Sequence, residues 1–149
     1  MIQRKQTLFL LQAIFCSIAL LFIPVQQHTS AQGVYSLDLM PGGGNDHNSA
    51  SYAVAVLLNM VLAVLATATI FLYQKRALQI TLCKVMAFLW LALTGMLLFC
   101  PLFTLAESES ISHLYFAGAI GFFAILAHWM AIRLIQKDID LLKSADRIR

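Results

Sequence analysis

Charged side chains are scarce in this sequence. They make up 11% of the 149 residues, whereas an ordinary soluble domain carries roughly 25%. Hydrophobic residues make up 60%, so the chain has too little polar surface to cover itself in water. Lys and Arg are missing altogether from residues 26–51 and 104–113. The composition therefore excludes an ordinary soluble domain and indicates an integral membrane protein.

Motifs that bind nucleotides, haem or metals are also missing. The cysteines at 16, 83 and 100 show no CxxC spacing, so they indicate small buried apolar side chains. The glycine run at 42–44 lacks the Lys and Ser or Thr of a P-loop. A bis-histidine haem needs two histidines inside the spans, and only His128 lies there. We therefore expect no cofactor.

Potential metal ligands occur in the two segments without Lys or Arg: His28, Asp46, His47, Glu107, Glu109 and His113. No two of these histidines have the i, i+4 spacing of a zincin helix, and the set lacks the pattern of a zinc finger. They are typical of scattered polar loop residues, and we expect no metal site.

The cations fall into clusters that apolar runs separate. Nine of the ten Lys and Arg residues are candidate interaction residues: Arg4, Lys75, Arg76, Lys84, Arg133, Lys137, Lys143, Arg147 and Arg149. Cytoplasmic loops retain Lys and Arg whereas translocated loops lose them. The pattern thus predicts a multi-pass protein with both termini in the cytoplasm. The net charge of +3 is expected to meet anionic lipid headgroups and no nucleic acid.

Four apolar segments are long enough to cross a bilayer. They cover residues 7–23, 52–73, 82–103 and 114–135, which leaves an outer loop at 24–51 and a cytoplasmic tail at 136–149. The sequence predicts one all-α domain, residues 1–149, that forms an integral membrane four-helix bundle with a cytoplasmic helical extension. Cleavage of the first segment as a signal peptide after residues 29–31 is an open alternative that leaves three spans.

Two polar residues are predicted to lie at similar depth inside the bundle. Gln12 and His128 are each a few residues from the inner end of a span, so an interhelical hydrogen bond between them is geometrically open. The stripe Ala117, Gly121, Ala124, His128 and Ala131 steps by four and three, which predicts a helix-packing seam. Asn59, Ala63 and Ala66 suggest a matching face on the second helix, and Thr94 further polar contact on the third.

The two regions outside the spans give weaker predictions. In the outer loop, three consecutive glycines favour a mobile segment, although residues 35–40 could pair as a small hairpin or lie on the membrane. In the tail, charges alternate in sign at i, i+3 spacing. Opposite them, Ile135, Ile139 and Leu142 form an apolar stripe that could lie on the inner leaflet, receive a partner helix or belong to a frayed helix.

Three blocks stand out, at both ends and in the middle of the sequence: MIQRKQT at 1–7, FLYQKRALQITLC at 71–83, and AIRLIQKD at 131–138 with SADRIR at 144–149. In these blocks the sequence resembles a family of small bacterial membrane proteins of unknown function. The resemblance implies a four-helix inner-membrane protein with an uncleaved first span and both termini in the cytoplasm. It implies no activity, catalytic residue or ligand.

These observations favour a non-enzymatic function. No nucleophile and base occur at a workable spacing near the membrane. We expect a bundle of the bacterial inner membrane that docks a protein partner or anionic lipid through its cytoplasmic cations, with a second copy of the chain as a further candidate partner. The alternative is a small transporter or channel whose polar path runs through Gln12 and His128.

Overall fold

The chain folds into four long helices with a small sheet. The computed structural model describes residues 3–23, 26–30, 33–37, 39, 50–73, 75–104, 110–112 and 114–146. In chain order the elements are α1 (Gln3–Phe22), β1 (Gln26–Ser30), β2 (Gly33–Leu37), α2 (Ala50–Phe71), α3 (Arg76–Thr104), β3 (Ser110–Ser112) and α4 (Leu114–Asp146). The predicted four-helix bundle is confirmed.

The helices form a ring in which neighbours in sequence are neighbours in space. α4 packs against α3 and α1, and α2 packs against α1 and α3. We call the end that holds Gln6, the α2–α3 connection and Asp138 the cationic end. The opposite end, where α1 leads into β1 and β3 leads into α4, is the sheet end. All polar features discussed below are placed relative to these two ends.

Each helix buries one seam whose residues step alternately by four and three, the packing pattern of a left-handed bundle. The buried positions are Gln6, Leu10, Ala13, Ser17 and Leu20 in α1; Ala55, Asn59, Leu62, Ala66 and Thr69 in α2; Gln79, Cys83, Met86, Trp90 and Leu93 in α3; and Ala117, Gly121, Ala124, His128, Ala131, Ile135 and Asp138 in α4. The predicted α4 stripe is therefore confirmed.

Interhelical contacts fix how the four seams align. Asn59 bonds to the Ser17 carbonyl, Gln79 bonds to the Thr69 carbonyl, and Arg76 lies beside Asp138. Counting along antiparallel helices from these contacts gives layers of four residues each. Two central layers hold Ala13, Leu62, Met86 and His128, and then Ser17, Asn59, Trp90 and Ala124.

Large and small side chains alternate within these layers. Trp90 is 1% exposed and fills the centre of its layer, where Ala124 and Ser17 are the small neighbours that leave room for the indole. In the next layer toward the sheet end, Leu20 and Leu93 accompany Ala55 and Gly121. This complementarity gives the close packing that stabilises helix bundles in lipid as well as in water.

The outside of the bundle is apolar. Exposed large side chains occur on all four helices, and they include Leu8, Phe15, Leu57, Val64, Phe88, Leu91, Phe122 and Phe123. Three helices contain segments long and apolar enough to cross a membrane: Ala53–Phe71, Arg76–Phe99 and Phe116–Ser144. α1 has a shorter apolar segment, Gln6–Phe22. The protein is therefore a membrane protein with a buried seam on each helix and a lipid-compatible surface.

A three-stranded antiparallel sheet joins the two connections at the sheet end. Its order is β2-β1-β3, with His28 paired to Tyr35 in β2 and to Ile111 in β3. The predicted hairpin is confirmed for residues 35–37, which belong to β2. Its first strand, β1, begins at Gln26, outside the predicted range. The prediction of a mobile segment is therefore wrong for β1 and β2. Leu39 follows β2 and is 1% exposed. The triglycine run lies outside the described residues.

The helix bounds differ most from the predicted spans at the start of α3 and at the end of α4. α3 begins at Arg76, six residues before the predicted residue 82, because residues 76–81 contain no helix breaker and continue the seam through Gln79. α4 continues to Asp146 without interruption, so the predicted helical extension of the fourth span is present.

Candidate functional site

The candidate cations occupy different environments at the cationic end. Lys75, Lys137 and Lys143 are exposed. Lys84 and Arg133 lie farther along the bundle axis toward the sheet end, and their side chains are also exposed. Arg76 is only partly exposed because it contacts Asp138. Arg4 lies in α1, but its side chain is outside the described residues, and Arg147 and Arg149 are outside them entirely. The described cations therefore do not form one continuous patch.

Arg76 and Asp138 connect the start of α3 to α4. Arg76 Nη1 lies 2.8 Å from Asp138 Oδ2, and the side chains are 26% and 11% exposed. The two atoms are close enough for an ion pair but are not aligned as a hydrogen bond. Because the pair is largely removed from solvent, each charge needs the other. Arg76 therefore stabilises the contact between α3 and α4, and it is less available to a partner than the exposed lysines.

A polar layer lies just inside this ion pair. Gln79 Nε2 donates to the Thr69 carbonyl at 3.3 Å and ties α3 to α2. Gln6 enters the same layer from α1; it is 6% exposed, and its Nε2 has no hydrogen-bond partner among the described residues. Sequence reasoning missed both glutamines, although each begins the four-three seam of its helix.

The last two turns of α4 extend beyond the other helices. α3 begins at Arg76, opposite Asp138, and α1 begins near the same level, so residues 139–146 protrude by about 12 Å at 1.5 Å per residue. Leu141 and Leu142 are 47% and 50% exposed, and Asp140 and Lys143 are exposed beside them. We call residues 139–146 the α4 extension.

The predicted apolar stripe of the tail is wrong in its composition. Ile135 is fully buried in the bundle, and Ile139 is partly buried against the core. Only Leu142 of the three is exposed, and Leu141, which the sequence analysis did not single out, is exposed beside it. The reason is that the bundle extends farther along α4 than the predicted end of the span at residue 135.

Gln12 and His128 are not brought together, so their predicted hydrogen bond is wrong. Gln12 lies on the exposed face of α1, because it falls between the seam positions Leu10 and Ala13. His128 is 0% exposed, and its Nδ1 lies 2.8 Å from the Ala124 carbonyl. Since a carbonyl oxygen only accepts, Nδ1 donates in this bond. The Nε2 atom has no partner in the described structure.

The polar neighbours of His128 lie in the adjacent layer. Asn59 Nδ2 donates to the Ser17 carbonyl at 3.1 Å, which confirms Asn59 as an interhelical contact. Asn59 Oδ1 and Ser17 Oγ are buried and lack partners within the described ranges. These atoms and His128 Nε2 fall within about one helical turn of each other along the bundle axis. The buried polar residue of α1 at this level is Ser17 and not Gln12.

Apolar layers close this polar region from both sides. Toward the cationic end lie Leu10, Ala66, Cys83 and Ala131, and toward the sheet end lie Leu20, Ala55, Leu93 and Gly121, all of them buried. A continuous polar path through the bundle would have to cross them. The arrangement therefore resembles polar packing between helices more than a conduction route.

No group of three His, Cys, Asp or Glu side chains with metal-binding geometry occurs among the described residues. Of the potential ligands considered above, Asp46, His47, Glu107, Glu109 and His113 lie outside the described residues, and His28 lies in β1. Cys16 and Cys83 are buried free thiols, as the sequence predicts, whereas the side chain of Cys100 is outside the described set.

Comparison with known proteins identifies the family and no function. No curated protein and no solved structure matches the chain. Residues 2–148 match a family described as a domain of unknown function, DUF4293. The match covers all four helices and both connections at the sheet end, and the resemblance found in the sequence is thereby confirmed. The chain belongs to the DUF4293 family.

Proposed function

We propose that this protein is a non-enzymatic four-span bundle of the bacterial inner membrane that docks a protein partner at its cytoplasmic face. The observation that carries the proposal is the α4 extension, which presents Leu141 and Leu142 beyond the other three helices. Among the described side chains of the α4 extension, Ile139 is the one packed against the core, and helices with few tertiary contacts are marginal in water. A partner that covers both leucines would stabilise the α4 extension, as in helix-in-groove recognition.

The charges beside the leucines suit a protein partner. Lys137, Asp140 and Lys143 are exposed and alternate in sign. A mixed face of this kind can pair with complementary charges and fix the register of a docked helix. A purely lipid-binding tail would be expected to carry cations without the intervening carboxylate.

Topology follows from the distribution of charge over the two ends. The described cations lie toward the cationic end, and the sequence segments at the sheet end contain no Lys or Arg. The positive-inside rule then puts the cationic end, both termini and the α4 extension in the cytoplasm. α1 packs against α2 and α4, which supports an uncleaved first span, because its removal would expose the seams of two helices.

The topology can be tested with reporter fusions at Asn45 and Arg149. We expect a reporter that is active only in the cytoplasm to work at Arg149 and to fail at Asn45. A tag ahead of Met1 should remain on the mature protein. Activity of both fusions on one side, or loss of the tag, would contradict four spans with cytoplasmic termini.

Docking can be tested by photocrosslinking in native membranes at endogenous expression. A photoreactive side chain at position 141 or 142 should give one discrete protein adduct. The matched controls are Phe88 and Phe123, which are similarly exposed but face the lipid belt, and they should give no such adduct. In a Leu141→Ser, Leu142→Ser variant the partner should no longer copurify. Equal adducts at all four positions would reject the proposal.

Transport remains the alternative, but its predicted path has lost one of its two residues because Gln12 is exposed. The remaining polar region is His128 with Ser17 and Asn59, between apolar layers. Flux through proteoliposomes that carry the full chain would test it. A His128→Ala variant with unchanged flux would eliminate this route.

A further inference from the structure

A groove runs between α3 and α4 on the membrane-facing surface. It has a volume of about 320 Å³, and its lining includes Lys84, Ala87, Phe122, Leu126, Trp129 and Ile132. From Phe122 to Ile132 it follows α4 for about 15 Å at 1.5 Å per residue. Apart from the Lys84 ammonium and the edge of the indole, these side chains are hydrocarbon, so the groove is suited to an alkyl chain.

Lys84 places a charge at one side of this hydrocarbon groove. It lies eight residues after Arg76, about 12 Å along α3, within the candidate span Arg76–Phe99. Its side chain is exposed. Among the described residues the ion pair is Arg76 with Asp138, and no described acidic side chain pairs with Lys84. An ammonium group beside hydrocarbon near a helix end is stabilised when it reaches the interface or binds an anion there.

Arg133 brings a second cation to the same place. Its guanidinium carbon lies 3.8 Å from the centroid of the Trp129 ring, which lines the groove. Arg76 of α3 lies opposite Asp138 of the antiparallel α4. Counting along both helices from this contact places Lys84 between Trp129 and Arg133 along the bundle axis. Stacking on an indole face uses none of the guanidinium N–H donors, so they can still bind phosphate. One cation from each helix thus flanks the end of the groove nearer the cationic end.

We propose that this groove binds an anionic phospholipid, with the headgroup phosphate held between Lys84 and Arg133 and an acyl chain along Phe122 and Leu126. The polarity of the groove matches that of the ligand, because both cations are at one end and hydrocarbon continues toward the other. Arginine and lysine are the side chains that bind phosphate by bidentate hydrogen bonds and by charge. A second copy of this chain would instead bring two more cations to the same rim.

The lipid groove follows α4 from Phe122 to Ile132, away from the α4 extension. Its proposal therefore goes beyond protein docking and can fail without affecting that proposal. The groove is open to the surrounding bilayer along its length, so a lipid can enter it laterally.

Native mass spectrometry of the full chain in detergent can test lipid binding directly. Phosphatidylglycerol and phosphatidylcholine with identical acyl chains should be titrated separately. We expect phosphatidylglycerol to bind more tightly by about 30-fold, from roughly fivefold for each cation near a lipid headgroup. A Lys84→Gln, Arg133→Gln variant should lose this preference, and Lys84→Arg with Arg133→Lys should keep it.

Two control variants separate charge from shape. Lys75→Gln with Lys143→Gln removes the same charge from exposed positions outside the groove and should leave the preference unchanged. Ala87→Trp fills the apolar floor and should weaken both lipids. Equal affinity of the native protein for both lipids, or an equal loss of preference in the Lys75 and Lys143 variant, would overturn the proposal. Inorganic phosphate that binds as tightly as phosphatidylglycerol would also overturn it, because the acyl chain would then contribute nothing to affinity.

Discussion

Arg76 Nη1 at the start of α3 lies 2.8 Å from Asp138 Oδ2 of α4, and this ion pair joins the two helices at the cationic end. A cation that orients a membrane protein can also be neutralised by an acidic side chain within the fold, and Arg76 is one such case. Lys75 next to it has no such pairing within the described structure and stays exposed.

Replacement of Asp138 by Asn should destabilise the bundle. The change leaves Arg76 largely out of solvent with an unpaired charge, which we expect to lower the free energy of unfolding by about 1–3 kcal/mol, between the values for exposed and buried pairs. The measurement is the thermal midpoint of the full chain in detergent. Asp140→Asn is the matched control, because Asp140 is exposed two residues away. Equal effects of both changes would show that net charge, and not the pair, matters.

A close approach of α3 and α4 at Gly121 gives a second prediction. A Cβ atom at this position would lie 2.9 Å from Thr94 Cγ2 and 3.0 Å from Thr94 Cβ. Gly121→Ala should therefore force the helices apart and cost about 1–3 kcal/mol. The thermal midpoint in detergent measures this loss.

Two further variants make the Gly121 prediction specific. Gly95 has no heavy atom within 4 Å of an added Cβ, so Gly95→Ala should be neutral or stabilising through helix propensity. Thr94→Ala removes the obstructing Oγ1 and Cγ2 atoms and should recover part of the loss when combined with Gly121→Ala. Additive losses in the double variant would contradict steric conflict between these two residues.

The hydrogen bond from Asn59 of α2 to the Ser17 carbonyl of α1 should contribute less to the free energy of unfolding than its burial suggests. Asn59→Ala removes the donor to the Ser17 carbonyl, and bonds of this type inside membranes average about 0.6 kcal/mol. Loss of side-chain packing adds to that value, so we expect a decrease of about 1–2 kcal/mol in unfolding free energy. Thr67→Ala is the control, since Thr67 is exposed and bonds only to Ala63 of its own helix. A larger effect of Thr67→Ala would contradict the assignment.

The helix seams are the part of the fold that the sequence predicts well. Residues 117 to 131 in α4 step by four and three, and all of the predicted stripe is buried. The same rule applied to α1 selects Gln6, Leu10, Ala13, Ser17 and Leu20 and excludes Gln12. The Gln12 prediction failed because it considered depth in the membrane without the direction in which the side chain points.

The ion pair and the sheet depend on information that local sequence does not contain. Arg76 meets Asp138 only because the lengths and alignment of α3 and α4 bring two distant positions to one level. β1 pairs with β3 across three intervening elements, and its sequence, QQHTS, has weak strand propensity. Such pairings follow from the assembled bundle and are not visible in a periodic pattern.

His128 provides the sharpest test of whether the polar layer is structural. If its imidazole only fills space, His128→Leu should keep or raise stability, because it removes a buried Nε2 atom that lacks a partner within the described structure and replaces it with hydrocarbon of similar size. His128→Ala should lower the free energy of unfolding by about 2–4 kcal/mol, because it leaves a cavity beside Met86 and Leu62. Both variants can be compared by thermal midpoint in detergent. If leucine were as destabilising as alanine, the imidazole would have a polar role that packing cannot supply, and transport through this layer would become the stronger proposal.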